Sequence, residues 1–145
     1  GIYEISTGRL TAANAGHEYP AIRHRNGVFE LYKDRHGFVL AGMKGVCYRE
    51  YTLELRAGDT LFVYTDGVAE ATNGENALYG TQRMLEALNQ ERDASPERLL
   101  QIVKRDIALF VGNVPQFDDI TMLAIQRKPI SGESAADSRH TRAQR

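Results

Sequence analysis

Apolar and polar residues alternate with a period of two through the first half of the chain, the spacing of strands that bury one face. Residues 2–6 and 10–13 alternate on either side of Thr7-Gly8 and predict a hairpin. Residues 21–25 and 28–33 flank Asn26-Gly27, a turn dipeptide that predicts a second hairpin. Residues 49–55 set Tyr51, Leu53 and Leu55 against Glu50, Thr52 and Glu54, so those acids belong to a wet face. Residues 34–44 are broken by Gly37 and Gly42 and predict a loop holding a short strand at residues 38–40, with His36 in solvent. Arg56-Ala57-Gly58-Asp59 turns the chain into Leu61-Phe62-Val63-Tyr64-Thr65, a strand that Asp66-Gly67 ends abruptly.

The period then lengthens. Residues 68–76 are polar and turn-rich and predict a surface excursion. Thr81 is placed to cap a helix with Met84, Leu85 and Leu88 on its inner face. Ser95-Pro96-Glu97 starts another: a serine cap, proline at the first helical position and an acid in the first turn. Its apolar face is Leu99, Leu100, Ile102, Val103, Ile107 and Phe110, and each helix is expected to cover one side of a sheet. Residues 120–125 are nearly all apolar and predict a buried strand. From Pro129 to Arg145 apolar residues almost vanish, which predicts a disordered tail after a domain ending near residue 128.

Composition narrows the class. A chain of 145 residues, 42% hydrophobic and 26% charged, has the size and balance of one globular domain with a real core. A net charge of -1 gives no electrostatic case for nucleic acid or an anionic membrane surface. No apolar run approaches the ~20 residues that span a bilayer. The single cysteine, Cys47, cannot close an internal disulfide, so a reducing, cytoplasmic setting is expected. The first residue is not methionine and residues 2–5 already read as strand, the pattern of a piece cut from something longer.

Three features carry candidate chemistry. Asp66, where a strand runs out of core, sits on a rigid element yet faces solvent, and Gly67 lets a ligand approach the backbone. That arrangement suits a metal ligand, but taken alone it is more often an ordinary Asp-Gly turn. Asp118 and Asp119 open the last strand; adjacent carboxylates repel unless solvent or a cation compensates them. Together with Asp66 they could converge on one hard divalent ion. His17 follows the bend Asn14-Ala15-Gly16, where a lone histidine is more often a hydrogen-bonded structural residue than a ligand or a base.

Six motifs occur in order: Asn14-Ala15-Gly16-His17, Leu40-Ala41-Gly42, Ala57-Gly58-Asp59, Tyr64-Thr65-Asp66-Gly67-Val68-Ala69-Glu70-Ala71, Tyr79-Gly80 and Phe117-Asp118-Asp119-Ile120-Thr121. Each is weak alone; as an ordered set they resemble the bacterial branch of the metal-dependent serine/threonine protein phosphatases (the PPM class), typified by the stage II sporulation protein E and stress-response regulators of partner switching. The resemblance runs from Gly1 to about Arg127. It implies an α+β fold of two packed antiparallel sheets flanked by helices, an αββα sandwich. It also implies a site for two manganese or magnesium ions at one edge, where a bridging water attacks a phosphoserine or phosphothreonine. Hard ions of this kind prefer oxygen ligands and keep several waters. By resemblance, Asp66 and Asp118 are metal ligands, Asp119 is a weaker candidate standing where the wider family has asparagine, and Gly67 offers its backbone. His17 and Thr65 are candidates for the groups that hydrogen-bond behind the ligands.

The departures matter as much. The family's first strand-borne aspartate, its Asp-Val-x-Gly-type motif and the long helix after it have no counterpart here. The chain therefore resembles the C-terminal part of such a domain, short by roughly a third or more. Alone it is expected to be inactive, and its open sheet edges and apolar face to invite self-association. The resemblance further implies a phosphorylated regulatory partner of the anti-sigma-factor-antagonist type and a sensor domain upstream. A degenerate phosphatase fold kept as a binding or regulatory module is the alternative.

Overall fold

The computed structural model describes residues 1–25, 27–33, 37–116 and 118–129. The expected disordered tail after Pro129, His36, and the Asn26 half of the Asn-Gly turn lie outside them. Two antiparallel sheets form. One has three strands in the order β1 (Ile2–Glu4), β2 (Arg9–Ala13), β5 (Glu50–Glu54). The other has four, in the order β4 (Phe29–Leu31), β3 (Ala21–Arg23), β6 (Thr60–Tyr64), β7 (Met122–Gln126). Among the described residues there are three helices: α1 (Asp66–Ala69), α2 (Gly80–Leu88) and α3 (Pro96–Val111). This is the α+β architecture of two antiparallel sheets with helices that the motifs imply.

Alternation decides how the layers stack. On β6, Phe62 and Tyr64 point to one side and Leu61 and Val63 to the other. The first pair joins Ala21, Phe29 and the inner faces of α2 and α3 (Met84, Leu88, Leu99, Val103) in the main core. The second pair meets Ile22, Leu55, Tyr3 and Leu10 in a thinner core between the sheets. Central strand β6 is buried on both faces, and its residues are apolar on both. Both long helices therefore pack on one side of the four-stranded sheet, instead of on opposite sides of the fold.

Several local expectations are corrected. Thr81 does not cap α2: the helix opens at Gly80 behind Tyr79, with no side-chain cap. Tyr79 sets the start because its ring is buried edge-on against Phe110, centroids 5.5 Å apart, and its N–H donates to the Ala71 carbonyl at 2.8 Å. Residues 38–40 form no strand; Gly37 and Leu40 donate instead to the Asn14 and Ala15 carbonyls, and Ala41 takes a positive φ of 62° that no ladder tolerates. The second hairpin pairs only from Arg23↔Phe29, so its connection is longer than a two-residue turn. Residues 68–76 are not wholly surface, since Val68 is fully buried. β7 is an edge strand, with Leu123 54% exposed, where its apolar run predicted burial.

The start of α3 is as expected. Ser95 Oγ accepts from the Arg98 N–H at 3.3 Å, and Pro96 follows. Replacing Ser95 by alanine leaves that donor to water and is expected to cost about 1 kcal/mol, read as a lowered urea midpoint with an unchanged m-value. Two further devices seat the helices. Arg23, almost fully buried, donates to the carbonyls of Arg92 and Ala94 in the α2–α3 link and stacks on Phe29. Asp106 of α3 accepts from Tyr79 Oη at 2.8 Å and Arg83 Nε at 2.9 Å, clipping α2 to α3.

Candidate metal centre

The site is built where β6 leaves the sheet and β7 enters it. The two strands pair antiparallel as far as Tyr64↔Met122, so the next residues on each side remain neighbours. Thr65 extends the pairing: its N–H donates to the Thr121 carbonyl at 3.0 Å. Its hydroxyl donates to the Asp119 carbonyl at 3.1 Å and accepts from the Thr121 N–H at 3.0 Å. Thr65 thus binds the backbone of the opposing segment, including the carbonyl of the candidate ligand Asp119.

Asp66 opens α1 and is exposed, with Oδ1 accepting from the Gly67 N–H at 3.0 Å. Gly67 is buried, and a Cβ built there would lie 2.4 Å from the Asp119 carbonyl oxygen and 3.6 Å from the Asp118 carbonyl carbon. Only glycine permits that approach. The result is one corner that gathers Asp66, Gly67, Asp118 and Asp119 from segments far apart in sequence. Asp118 and Asp119 are exposed; Asp118 Oδ1 accepts from the Asp119 N–H at 2.7 Å, and the Asp118 carbonyl accepts from Gln116 Nε2 at 2.6 Å.

His17 sits elsewhere in the bonding pattern. Its N–H donates to Asn14 Oδ1 at 2.8 Å, Asn14 Nδ2 returns a bond to the His17 carbonyl at 3.0 Å, and its ring Nδ1 lies 3.2 Å from the Glu18 carbonyl. Buried Asn14 closes this loop, and His17 makes no hydrogen bond to Asp66, Asp118 or Asp119. One residue before Thr65, Tyr64 holds a buried hydroxyl with no partner among the described residues. Burial pushes its pKa up and the charge of Glu18 adds to the shift, so it stays a neutral phenol. Its aromatic position in the strand was legible; its orphaned hydroxyl was not.

The donor set suits a hard divalent ion in kind. All the candidate ligands are carboxylate or carbonyl oxygens, and the acids keep free lone pairs. In number it is short, for among the described residues no three His, Cys, Asp or Glu side chains group closely enough to hold a metal.

Two antiparallel sheets with helices on one, and acids gathered where adjacent strands β6 and β7 end, define an α+β domain. A family model for stage II sporulation protein E (SpoIIE) matches residues 1–128, and the chain belongs to that family. It is 34% identical over 127 residues to Protein IcfG of Synechocystis sp., covering 88% of this chain and 20% of that protein. The fold is similar to the manganese-presoaked phosphatase domain of SpoIIE from Bacillus subtilis, with TM-score 0.65, 12% identity, and coverage of 88% of this chain and 54% of the other. It is also similar to the RsbU and RsbW domains of Rv1364c from Mycobacterium tuberculosis, with TM-score 0.66, 22% identity, and coverage of 87% and 34%. The chain thus spans one fifth of the length of IcfG and about half of the SpoIIE domain. No helix among the described residues is long and apolar enough to cross a membrane.

Proposed function

We propose that this chain supplies one wall of the active site of a manganese- or magnesium-dependent phosphoserine/phosphothreonine phosphatase, with Asp66 and Asp118 as metal ligands and Asp119 beside them. One observation supports the reading: the Gly67–Asp119 approach, fastened by Thr65, which brings the backbone next to Asp66 against the segment that carries Asp118 and Asp119. When bound, the metal pair would supply a water nucleophile at neutral pH and neutralise phosphoryl charge. The protein's own residues do the rest. Asp66 and Asp118 would offer anionic oxygens from the segments that leave β6 and enter β7, Thr65 fixes the spacing between those segments, and Gly67 permits their close approach. Two or three carboxylates only partly offset two divalent charges, so further acids from elsewhere in the intact protein complete the set.

The substrate on this reading is a phosphorylated regulatory protein of the anti-sigma-factor-antagonist type. Membership of the SpoIIE family and the fold similarity to a structure of RsbU and RsbW domains support it. An upstream sensor domain in the intact protein belongs to the same proposal. The test is phosphate release from phosphoserine substrates by the intact protein, with and without manganese. Turnover is expected to rise from background on adding manganese and to return there with a chelator. Equal turnover in excess chelator would reject the metal reading.

A further inference from the structure

The link between α1 and α2 is organised around Asn73. Its N–H donates to the Ala77 carbonyl at 3.1 Å, and its own carbonyl accepts from the Asn76 N–H at 3.0 Å. Its side-chain Oδ1 accepts twice more, from the Glu75 N–H at 3.0 Å and the Ala77 N–H at 2.9 Å. The bond to Glu75, two residues on, folds the carboxamide back over the Asn73–Gly74 peptide. Gly74 is exposed, and a Cβ built there would meet nothing nearer than Val114 Cγ2 at 3.9 Å. Among the described residues neither the Gly74 N–H nor Asn73 Nδ2 has a hydrogen-bond partner. An unscreened backbone nitrogen thus adjoins a carbonyl whose oxygen two donors already hold, and an unbonded amino group stands on the same carbon.

These are the parts of an acyl transfer: a nucleophile, an oxyanion site and a leaving group. We propose that Asn73 is a site of self-modification, at which the side-chain amide becomes an imide and then an acid. Solvent takes the proton from the Gly74 nitrogen, whose lone pair attacks Cγ and pushes the π pair onto Oδ1. The Glu75 and Ala77 N–H groups stabilise that oxyanion. Its collapse restores the C=O and expels Nδ2, protonated by water, as ammonia. Water then opens the imide. Breaking the Cγ–N bond leaves aspartate, whose carboxylate can accept from the same N–H groups. Breaking the bond between the nitrogen and the Asn73 main-chain carbonyl carbon leaves isoaspartate, with the chain routed through Cγ. Water is the only co-reactant, so the inference stands apart from the phosphatase reading.

The test incubates the intact protein at mildly alkaline pH, folded and in guanidinium chloride, and follows Asn73 by peptide mass mapping that separates aspartate from isoaspartate. A hydrogen bond that tightens onto a developing oxyanion is worth ~10-fold in rate. Conversion is therefore expected to run ~10-fold faster in the folded protein and to give both products. Gly74→Ala, whose Cβ the surrounding space accommodates, crowds the nitrogen and should slow conversion by at least the same factor with an unchanged urea midpoint. Isoaspartate forms only through the imide, so aspartate alone would mean direct attack by water and would overturn the proposal. Conversion no faster in the folded protein, wild-type conversion in Gly74→Ala, or an unchanged Asn73 would each overturn it as well.

Discussion

Asp66→Asn in the intact protein is expected to lower manganese-dependent phosphate release on the order of 10²–10³-fold, the several kcal/mol that a correctly held metal contributes to a transition state. The fold should hardly notice. Asp66 is exposed, and the one hydrogen bond its side chain makes, from the Gly67 N–H at 3.0 Å, can be accepted equally by an asparagine oxygen. What asparagine cannot supply is the charge. An acid at a helix start contributes ~0.3–1 kcal/mol, so the urea midpoint should move little. Manganese titration by calorimetry separates the two effects: the variant should lose heat of binding while keeping its unfolding transition. Unaltered turnover would remove Asp66 from the site.

Gly67→Ala should be worse, and for a steric reason. The added Cβ would lie 2.4 Å from the Asp119 carbonyl oxygen and 3.0 Å from its carbonyl carbon, well inside contact distance. Those atoms are backbone, and they are held by the Thr65 hydroxyl at 3.1 Å and by the Thr65–Thr121 pair at 3.0 Å. No flexible side chain can move aside. Either α1 lifts away or residues 118–121 are pushed out, and both routes separate Asp66 from Asp118. A destabilisation of about 2–4 kcal/mol is expected, together with loss of turnover well beyond what the stability change explains. Gly74→Ala is the control, because its nearest neighbour would be Val114 Cγ2 at 3.9 Å, an ordinary contact. Wild-type stability and turnover in Gly67→Ala would show that the close approach does not hold the corner together.

What the sequence revealed, and what it hid, follows the range of the forces involved. Ser95-Pro96-Glu97 announced α3 because a cap and a fixed φ act within a turn. β6 was legible for a related reason: five consecutive strand-forming residues leave little choice. Thr81 misled because Tyr79 is anchored by Phe110, a residue on another helix. Val68 looked like part of a polar loop, and only the helical turn at residues 66–69 aims it into the core. The apolar run of β7 suggested burial on both faces, yet its place at the sheet edge leaves Leu123 in solvent. Position in a sheet is set by partners, and partners cannot be read from one strand.

The candidate site divides in the same way. Asp66 and the Asp118-Asp119 pair stood out as strand-end acids, and the family resemblance joined them. That Gly67 is the point of contact was hidden, since a glycine after aspartate serves any turn. Thr65 was read as a neighbour of the ligands, and its role as the fastener between two backbones emerged only from its hydrogen bonds.

Thr65 and Thr121 have one more implication. All three helices lie on the stretch of chain between them, and the two ends of that stretch are clasped 3.0 Å apart. A detour whose entrance and exit coincide can lengthen, shorten or change its surface while the carboxylates at its gate keep their positions. The surface of residues 66–120 can therefore change without moving the strands β6 and β7 that they connect.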